Sequence, residues 1–391
     1  MKTKIIDHHV SRKDTNSIKW DSVEKLGYPK DVIPMWVADM DFLSEPHAVA
    51  VLQEKSNHGI LGYSFADDDY EKAVKKWCWD NHQTDLSKAT LISTPGVVSA
   101  VGACIQALTN QEDTVLIMEP VYHPFRKMIE INQRKVVVSE LVIDSMSYKM
   151  DFADIESKIV LNSVKMVVFC SPHNPVGRVW TKEELHQLAQ LCNTHQVVLI
   201  SDEIHMDFVY PNHTHAMLVG LDTSYQEFVI TLISASKTFN LADTHTSQLF
   251  VFNQLYADKI QQVYNKLGLN RLSSIGIEAQ KQAYTHGQVY VKQVNETIQE
   301  NRKIVNKVFA DTKIKVMNSE GLYLLWLDFR AYEKEPSQLM ELLIQQAKVW
   351  LINGEVFGKS GQGFFRMNIA TSPQLVLKAC NQIKEVFIHL I

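Results

Sequence analysis

Between residues 165 and 237 the chain alternates short apolar β-type runs with helical spacing, and each run ends in polar residues. Residues 165–170 (KMVVFC) lead into Ser171-Pro172-His173-Asn174-Pro175-Val176-Gly177. Thr181 to Glu184 then reads as a capping box, and Leu185, Leu188, Ala189 and Cys192 follow at helical spacing. Residues 197–200 end in Ser201-Asp202-Glu203-Ile204-His205, and residues 228–233 end in Ser234-Ala235-Ser236-Lys237. Strands that alternate with helices pair in parallel through right-handed crossovers. Parallel strands present their carboxyl ends along one edge. Asn174, Asp202 and Lys237 therefore fall in one crevice, where open α/β sheets place ligands.

The 391 residues exceed the size at which one core keeps growing, so two domains are expected. A net charge of −5 gives no electrostatic reason to expect nucleic acid or an anionic membrane as partner. No stretch holds the roughly eighteen unbroken apolar residues of a membrane span. The N-terminal residues lack the apolar core of a signal peptide. The five cysteines (Cys78, Cys104, Cys170, Cys192, Cys380) are odd in number, scattered and free of C-x-x-C spacing. They read as reduced thiols in a cytoplasmic protein, mostly packed as small hydrophobes.

Outside the central alternation the chain supplies further polar groups. Residues 1–30 are polar and read as an irregular arm. Residues 33–42 (IPMWVADMDF) carry Trp36, Asp39 and Asp41, and Ser44 is the expected N-cap of a helix with Pro46 in its first turn. Residues 59–65 form a glycine-bearing loop around Tyr63. Residues 91–92 are a short strand, and Pro95-Gly96-Val97-Val98 then opens an apolar helix. That geometry leaves backbone N–H groups free for an anion, although a plain tight turn would read the same. Residues 114–118 form a strand, and prolines at 120 and 124 bracket Tyr122, either a core residue or a flat platform for a planar ligand. Residues 136–141 are another strand, and a long helical region runs over 253–312. Residues 322–329 and 364–369 are strands of a second, smaller domain, with a helix over 337–348 between them. Arg366 interrupts the last run, so its charge needs either an ion-pair partner or a ligand.

Together these groups suit one kind of chemistry. A lysine that can form a Schiff base stands with an aspartate for a pyridinium nitrogen and an asparagine for a ring hydroxyl. An aromatic platform and a helix start with nearby serines for phosphate complete the set that pyridoxal phosphate needs. A carboxylate beside the ring nitrogen favours its protonated form, and Arg366 would clamp the α-carboxylate of an amino acid. His205, Asp207, His213 and His215 match no zinc spacing, so no metal is expected. His8 and His9 read as solvated.

The motifs S-P-H-N-P-V-G, S-D-E-I-H and S-A-S-K-T-F-N-L-A, with R-M-N near the C-terminus, resemble the class I/II pyridoxal-phosphate-dependent aminotransferases of fold type I. The segments P-M-W-V-A-D-M-D-F and G-Y-S-F are similar to the cystathionine β-lyase (C–S lyase) branch. The resemblance runs from about residue 14 to 371. It implies an α/β fold whose large domain has a mostly parallel seven-stranded sheet flanked by helices. A smaller α+β domain comes from the N-terminal arm and the C-terminal part. The implied division is 1–45, 46–285 and 286–391.

The resemblance also implies roles. Lys237 carries the cofactor and moves the Cα proton. Asp202 pairs with the ring nitrogen, Asn174 and His205 lie near the ring hydroxyl, and Tyr122 stacks on the ring. Val97, Val98, Ser234 and Ser236 hold the phosphate. Tyr63 reaches the phosphate of a neighbouring subunit, which implies a homodimer with shared sites. Arg366, Trp36 and Asp39 serve the amino-acid substrate. The chain departs from the family after Lys237. Ala242-Asp243-Thr244 stands where relatives read A-G-L, so Asp243 meets the need of that glycine only with positive φ. His245 stands where relatives often carry a basic phosphate partner. The implied reaction is β-elimination from L-cystathionine or another S-substituted L-cysteine. The alternatives are an aminotransferase of the same fold and a regulatory protein that keeps the fold with little turnover.

Overall fold

The computed structural model describes residues 10–63, 65–269 and 271–390. His8, His9 and Ser64 of the G-Y-S-F loop lie outside them. Seven strands form the central sheet: β1 (Thr90–Thr94), β2 (Thr114–Glu119), β3 (Lys135–Glu140), β4 (Met166–Cys170), β5 (Val198–Asp202), β6 (Val229–Ile233) and β7 (Ser247–Val251). Their order is β1-β7-β6-β5-β4-β2-β3. The expected runs all become strands, with ends displaced by a residue or two. Asp202 closes β5 rather than following it. Strands β2 to β6 pair in parallel, and β7 lies antiparallel to both β1 and β6.

Strands β2, β4, β5, β6 and β7 are buried along their whole length. Their apolar runs are continuous because both faces of the sheet are covered. Successive side chains still point to opposite faces. Val115 and Ile117 join the core under helices Val97–Leu108 and Gln254–Lys266, while Leu116 and Met118 face helix Lys182–Thr194 and its neighbours.

A second, antiparallel sheet takes Lys315–Val316, Leu324–Asp328, Phe364–Asn368 and Ile352–Asn353, in that spatial order. Ile33–Pro34 pairs in parallel with Val349–Trp350, which ties the N-terminal part of the chain to this C-terminal unit. The expected helix over 337–348 is two short pieces, Pro336–Glu341 and the wider π turn Leu342–Gln346. The polar N-terminal stretch, expected to be irregular, contains helix Ile18–Lys25. Lys19 of this helix is only 1% exposed and pairs with Asp41, while Glu24 and Lys25 at its end face solvent. Ser44 does not cap the next helix. Glu45 does so, accepting from the Ala48 N–H at 2.8 Å, because a carboxylate suits the positive end of a helix. Ser44 instead donates to the Asn240 carbonyl at 2.7 Å.

The long helical region resolves into Gln254–Lys266, Ser274–His286 and Gln288–Phe309. Gly276 in the middle helix lies against the turn before β7. A Cβ there would stand 2.2 Å from Thr246 Oγ1 and 2.7 Å from the Thr244 carbonyl oxygen. Gly→Ala in a helix normally stabilises by roughly 0.5–1 kcal/mol. Here Gly276→Ala should instead destabilise the cofactor-free protein by about 1–3 kcal/mol, through overpacking. Thermal or urea unfolding reads the sign directly.

Candidate active site

A cavity of about 500 Å³ opens at the edge of the central sheet where the parallel strands end. Its walls include Gly96, Val97 and Val98 after β1, Tyr122 after β2, Asn174 after β4, Asp202 and His205 at the end of β5, and Ser234, Ser236 and Lys237 after β6. Because β7 runs the opposite way, the residues before it reach the same edge, and Ala242, His245 and Thr246 complete that wall. Trp36 and Arg366 close it from the side of the smaller sheet.

Lys237 sits in the single helical turn Ala235–Thr238. Its Nζ donates to the Ala38 carbonyl at 2.7 Å. Desolvation, reinforced by the nearby Arg366, outweighs the attraction of Asp39 and Asp202 and pushes the amine down to about 8. Asp202 lies at the bottom, and burial pushes its carboxyl up to about 7. One of its oxygens accepts from the Ile204 N–H at 3.1 Å. An opposite charge brought into the cavity would return it to the ionised form. Burial drives His205 well below the ordinary histidine range, so it is neutral, and its Nδ1 is buried without a hydrogen-bond partner.

Arg366 is 4% exposed. Its guanidinium donates to Asn174 Oδ1 and to the Trp36 carbonyl, each at 2.9 Å, and lies over the Phe357 ring. Its Nε has no partner, and among the described residues no carboxylate forms an ion pair with it. Burial alone lowers it to about 10. A buried, partly unpaired guanidinium is costly unless a ligand supplies the anion.

The phosphate-type residues divide. Helix Val97–Leu108 begins at Gly96, which has φ 115 and no side-chain cap, so its first N–H groups face the cavity. Nothing lies within 4 Å of where a Gly96 Cβ would stand. Ser236 lines the wall. Ser234 is already committed, since its Oγ accepts from the Ser236 N–H at 3.0 Å and donates to the Thr246 carbonyl at 2.8 Å. It braces the turn. Asp243 does not carry the left-handed backbone. Asn240 (φ 57) and His245 (φ 44) do, and the Asp243 side chain is fully exposed outside the cavity wall.

Two expected site residues lie elsewhere. Asp39 is absent from the cavity wall, and its carboxylate pairs with Arg12 at 2.7 Å. Tyr63 is 98% exposed in a separate groove with Phe65 and Arg271. Among the described residues no group of three or more His, Cys, Asp or Glu side chains could hold a metal ion. His215 bonds Glu203 at 2.8 Å, and Asp207 takes His82 at 2.9 Å and Thr238 at 2.6 Å.

Asn240 and Asn368, of the S-A-S-K-T-F-N-L-A and R-M-N motifs, hold the backbone beside the cavity. Asn240 bonds the Met40 N–H and the Met40 and Phe42 carbonyls at 2.8–3.1 Å. Asn368 bonds the Val37 and Asp39 carbonyls at 2.5 and 2.6 Å. Asparagines closely following a lysine and an arginine of interest were the only available signal.

The groups fit pyridoxal phosphate. Lys237 can bond its aldehyde carbon, Asp202 can serve its ring nitrogen, and the uncapped helix start can take its phosphate. In cofactor-free protein, arylation of Lys237 by trinitrobenzenesulfonate needs the neutral amine. Its labelling, read by peptide mass spectrometry, should rise with a midpoint near pH 8, while exposed lysines titrate near pH 10 or above.

Comparison with known proteins agrees with this geometry. The profile of aminotransferase class I and II matches residues 30–383. The cystathionine beta-lyase PatB of Bacillus subtilis is 34% identical over 381 residues, covering 97% of this chain and 98% of the relative. Protein MalY of Escherichia coli is 30% identical, covering 94% and 93%. Cystalysin of Treponema denticola, whose crystal structure contains pyridoxal 5'-phosphate, superposes with a TM-score of 0.94 at 31% identity over 99% of both chains. The chain therefore belongs to the aminotransferase class I and II family and has the fold type I architecture of its pyridoxal-phosphate-dependent members.

Proposed function

We propose that this protein is a pyridoxal-phosphate-dependent carbon–sulfur lyase of the cystathionine β-lyase kind. It cleaves L-cystathionine or a related S-substituted L-cysteine to pyruvate, ammonia and a thiol. The observation that carries an amino-acid substrate is the buried Arg366, whose Nε lacks a partner in the same cavity as Lys237 and Asp202. The likeness to the B. subtilis cystathionine beta-lyase and to cystalysin supports the lyase outcome.

Bound pyridoxal phosphate supplies an electron-withdrawing ring that stabilises the charge left at the amino acid's Cα. The chain's residues supply the rest. Arg366 binds the α-carboxylate, with Asn174 holding one arm of its fork. Lys237 Nζ, whose pKa burial lowers to about 8 so that a minor neutral fraction is present near physiological pH, takes the Cα proton in its neutral form. Asp202 would hold the ring nitrogen by its charge, and Tyr122 would pack on the ring. His205 would offer a neutral imidazole to the ring hydroxyl. Val97, Val98 and Ser236 would hold the phosphate. Ser234 positions the turn that carries them, and Trp36 lines the substrate side. Asp39 acts at a distance through its charge on Lys237. The elimination breaks Cα–H and Cβ–S, and the thiolate departs with the bonding pair. Water then replaces the amino group, which leaves as ammonia.

The Asp243 side chain is fully exposed outside the cavity wall, which favours an enzyme over a regulatory protein with little turnover. Exposed Ile60, Leu61, Tyr63 and Phe65 form an apolar loop that suits contact with a second subunit, and Tyr63 would serve that subunit's phosphate. The described residues contain no helix long and apolar enough to cross a membrane. The five cysteines are free and buried, which suits a reducing cytoplasm. The two sheets, and the Ile33–Pro34 pairing with the C-terminal unit, support the 1–45, 46–285 and 286–391 division.

Product analysis across L-cystathionine, L-cysteine and an amino acid without a β-leaving group tests the reaction. Pyruvate and free thiol in equal amounts are expected from the first. Transfer of amino groups to a 2-oxo acid, with neither product formed, would establish the aminotransferase instead. Lys237→Ala should abolish the borohydride-sensitive yellow colour and lower turnover by roughly 10²–10⁴-fold or more. Arg366→Ala should raise KM roughly a hundredfold, from loss of a charge-assisted carboxylate contact, and Arg366→Lys should restore only part.

A further inference from the structure

The reacting lysine does not touch a side-chain partner. Its ammonium is held by a backbone carbonyl, that of Ala38, which also accepts from Tyr323 Oη at 3.1 Å. Ala38 belongs to the loop over residues 36–42, whose carbonyls point at the working groups. Trp36 O takes Arg366, and Val37 O and Asp39 O take Asn368 beside it in the same strand. The placement of this loop therefore decides where the lysine and the guanidinium sit.

The loop is held from its outer side by charge. Asp39 and Asp41 follow Ala38 in alternation, and their carboxylates meet a cluster from the N-terminal segment. Arg12 donates to Asp39 Oδ2 at 2.7 Å, to Asp41 Oδ1 at 3.1 Å and to the Met40 carbonyl at 3.1 Å. Lys19 Nζ reaches Asp41 Oδ2 at 2.8 Å, and Trp20 Nε1 reaches Asp41 Oδ1 at 2.9 Å. Trp36 Nε1 donates to the Lys19 carbonyl at 3.3 Å, and Ile18 of the same helix lines the cavity. Burial alone would raise the Asp41 carboxyl, yet the Lys19 ammonium and these hydrogen bonds hold it below the usual range.

We infer that the N-terminal segment from Arg12 to Trp20 is a clamp that positions Lys237 and Arg366 through the 36–42 loop, with Arg12 as its adjustable member. Arg12 touches neither cofactor nor substrate, so it is a positioning residue. Its side chain is 28% exposed, whereas Lys19 is buried beneath it. Arg12 can therefore be removed without stranding a buried cation, and Lys19 keeps Asp41 paired. Misplacement of reacting groups by about 1 Å costs on the order of a hundredfold in rate.

This inference rests on the lyase reading for its kinetic arm only, and a second arm is independent of it. In cofactor-free Arg12→Ala, trinitrobenzenesulfonate labelling of Lys237 at pH 8 should be at least about threefold faster than in the parent protein, since the Ala38 carbonyl no longer holds the amine. In the loaded enzyme the same variant should raise KM for the S-substituted cysteine about tenfold or more and lower kcat less, with Arg12→Lys intermediate in both assays. Its unfolding temperature should stay within a few degrees of the parent. A labelling rate and KM both within twofold of the parent would overturn the clamp. So would a KM change that appears only with a large loss of thermal stability, because that outcome marks a structural role. If the parent protein yields no pyruvate, the lyase reading fails by itself, and the labelling rate still decides the clamp.

Discussion

Three charges share one poorly solvated crevice: Lys237, Asp202 and Arg366. The protein does not neutralise them with one another by direct contact. Lys237 bonds a carbonyl, Asp202 a backbone N–H, and Arg366 an asparagine and a carbonyl. Each is displaced from its ordinary pKa mainly by burial. Such an arrangement costs stability, because water is removed without a full countercharge. A ligand carrying a cationic ring nitrogen, an electrophilic carbon and a carboxylate would satisfy all three, so the unpaired groups specify the ligand's chemistry.

The crevice can keep these groups apart because two sheets supply them from opposite sides. The strand ends of the larger sheet deliver Asn174, Asp202 and Lys237, and a strand of the smaller sheet delivers Arg366. Between them runs the 36–42 loop, tied to Asn240 on one side and Asn368 on the other. Each asparagine offers both donor and acceptor, so it can satisfy an irregular backbone that no strand could pair. The loop thereby couples the cofactor wall to the substrate wall.

The run after Lys237 shows how a local reading can mislead. An aspartate where relatives carry glycine suggested a positive φ at Asp243. The chain instead places its left-handed residues at Asn240 and His245, and turns Asp243 to solvent. Asn tolerates positive φ better than most residues, because its short amide bonds locally. Space against Gly276 then lets the Thr244–Thr246 turn approach the helix closely.

The parallel core, the crevice and the identity of Asn174, Asp202 and Lys237 were legible in the sequence. Continuous apolar runs that end in polar residues leave few other ways to bury two faces of a sheet. The partners of Arg366, the commitment of Ser234 to Thr246, the departure of Asp39 toward Arg12 and the caps of the helix after Phe42 were not legible. The first three depend on residues between 12 and 330 positions apart meeting at fixed geometry, and Ser44 leaves the cap for the Asn240 carbonyl 196 positions away. Sequence periodicity reports which face of an element is buried, but it carries no information about which distant polar group waits on the other side. The residue types and strand ends were therefore determined by sequence alone. Which side chains work in the cavity, and which hold its walls, was decided only when the smaller sheet and the N-terminal segment closed over it.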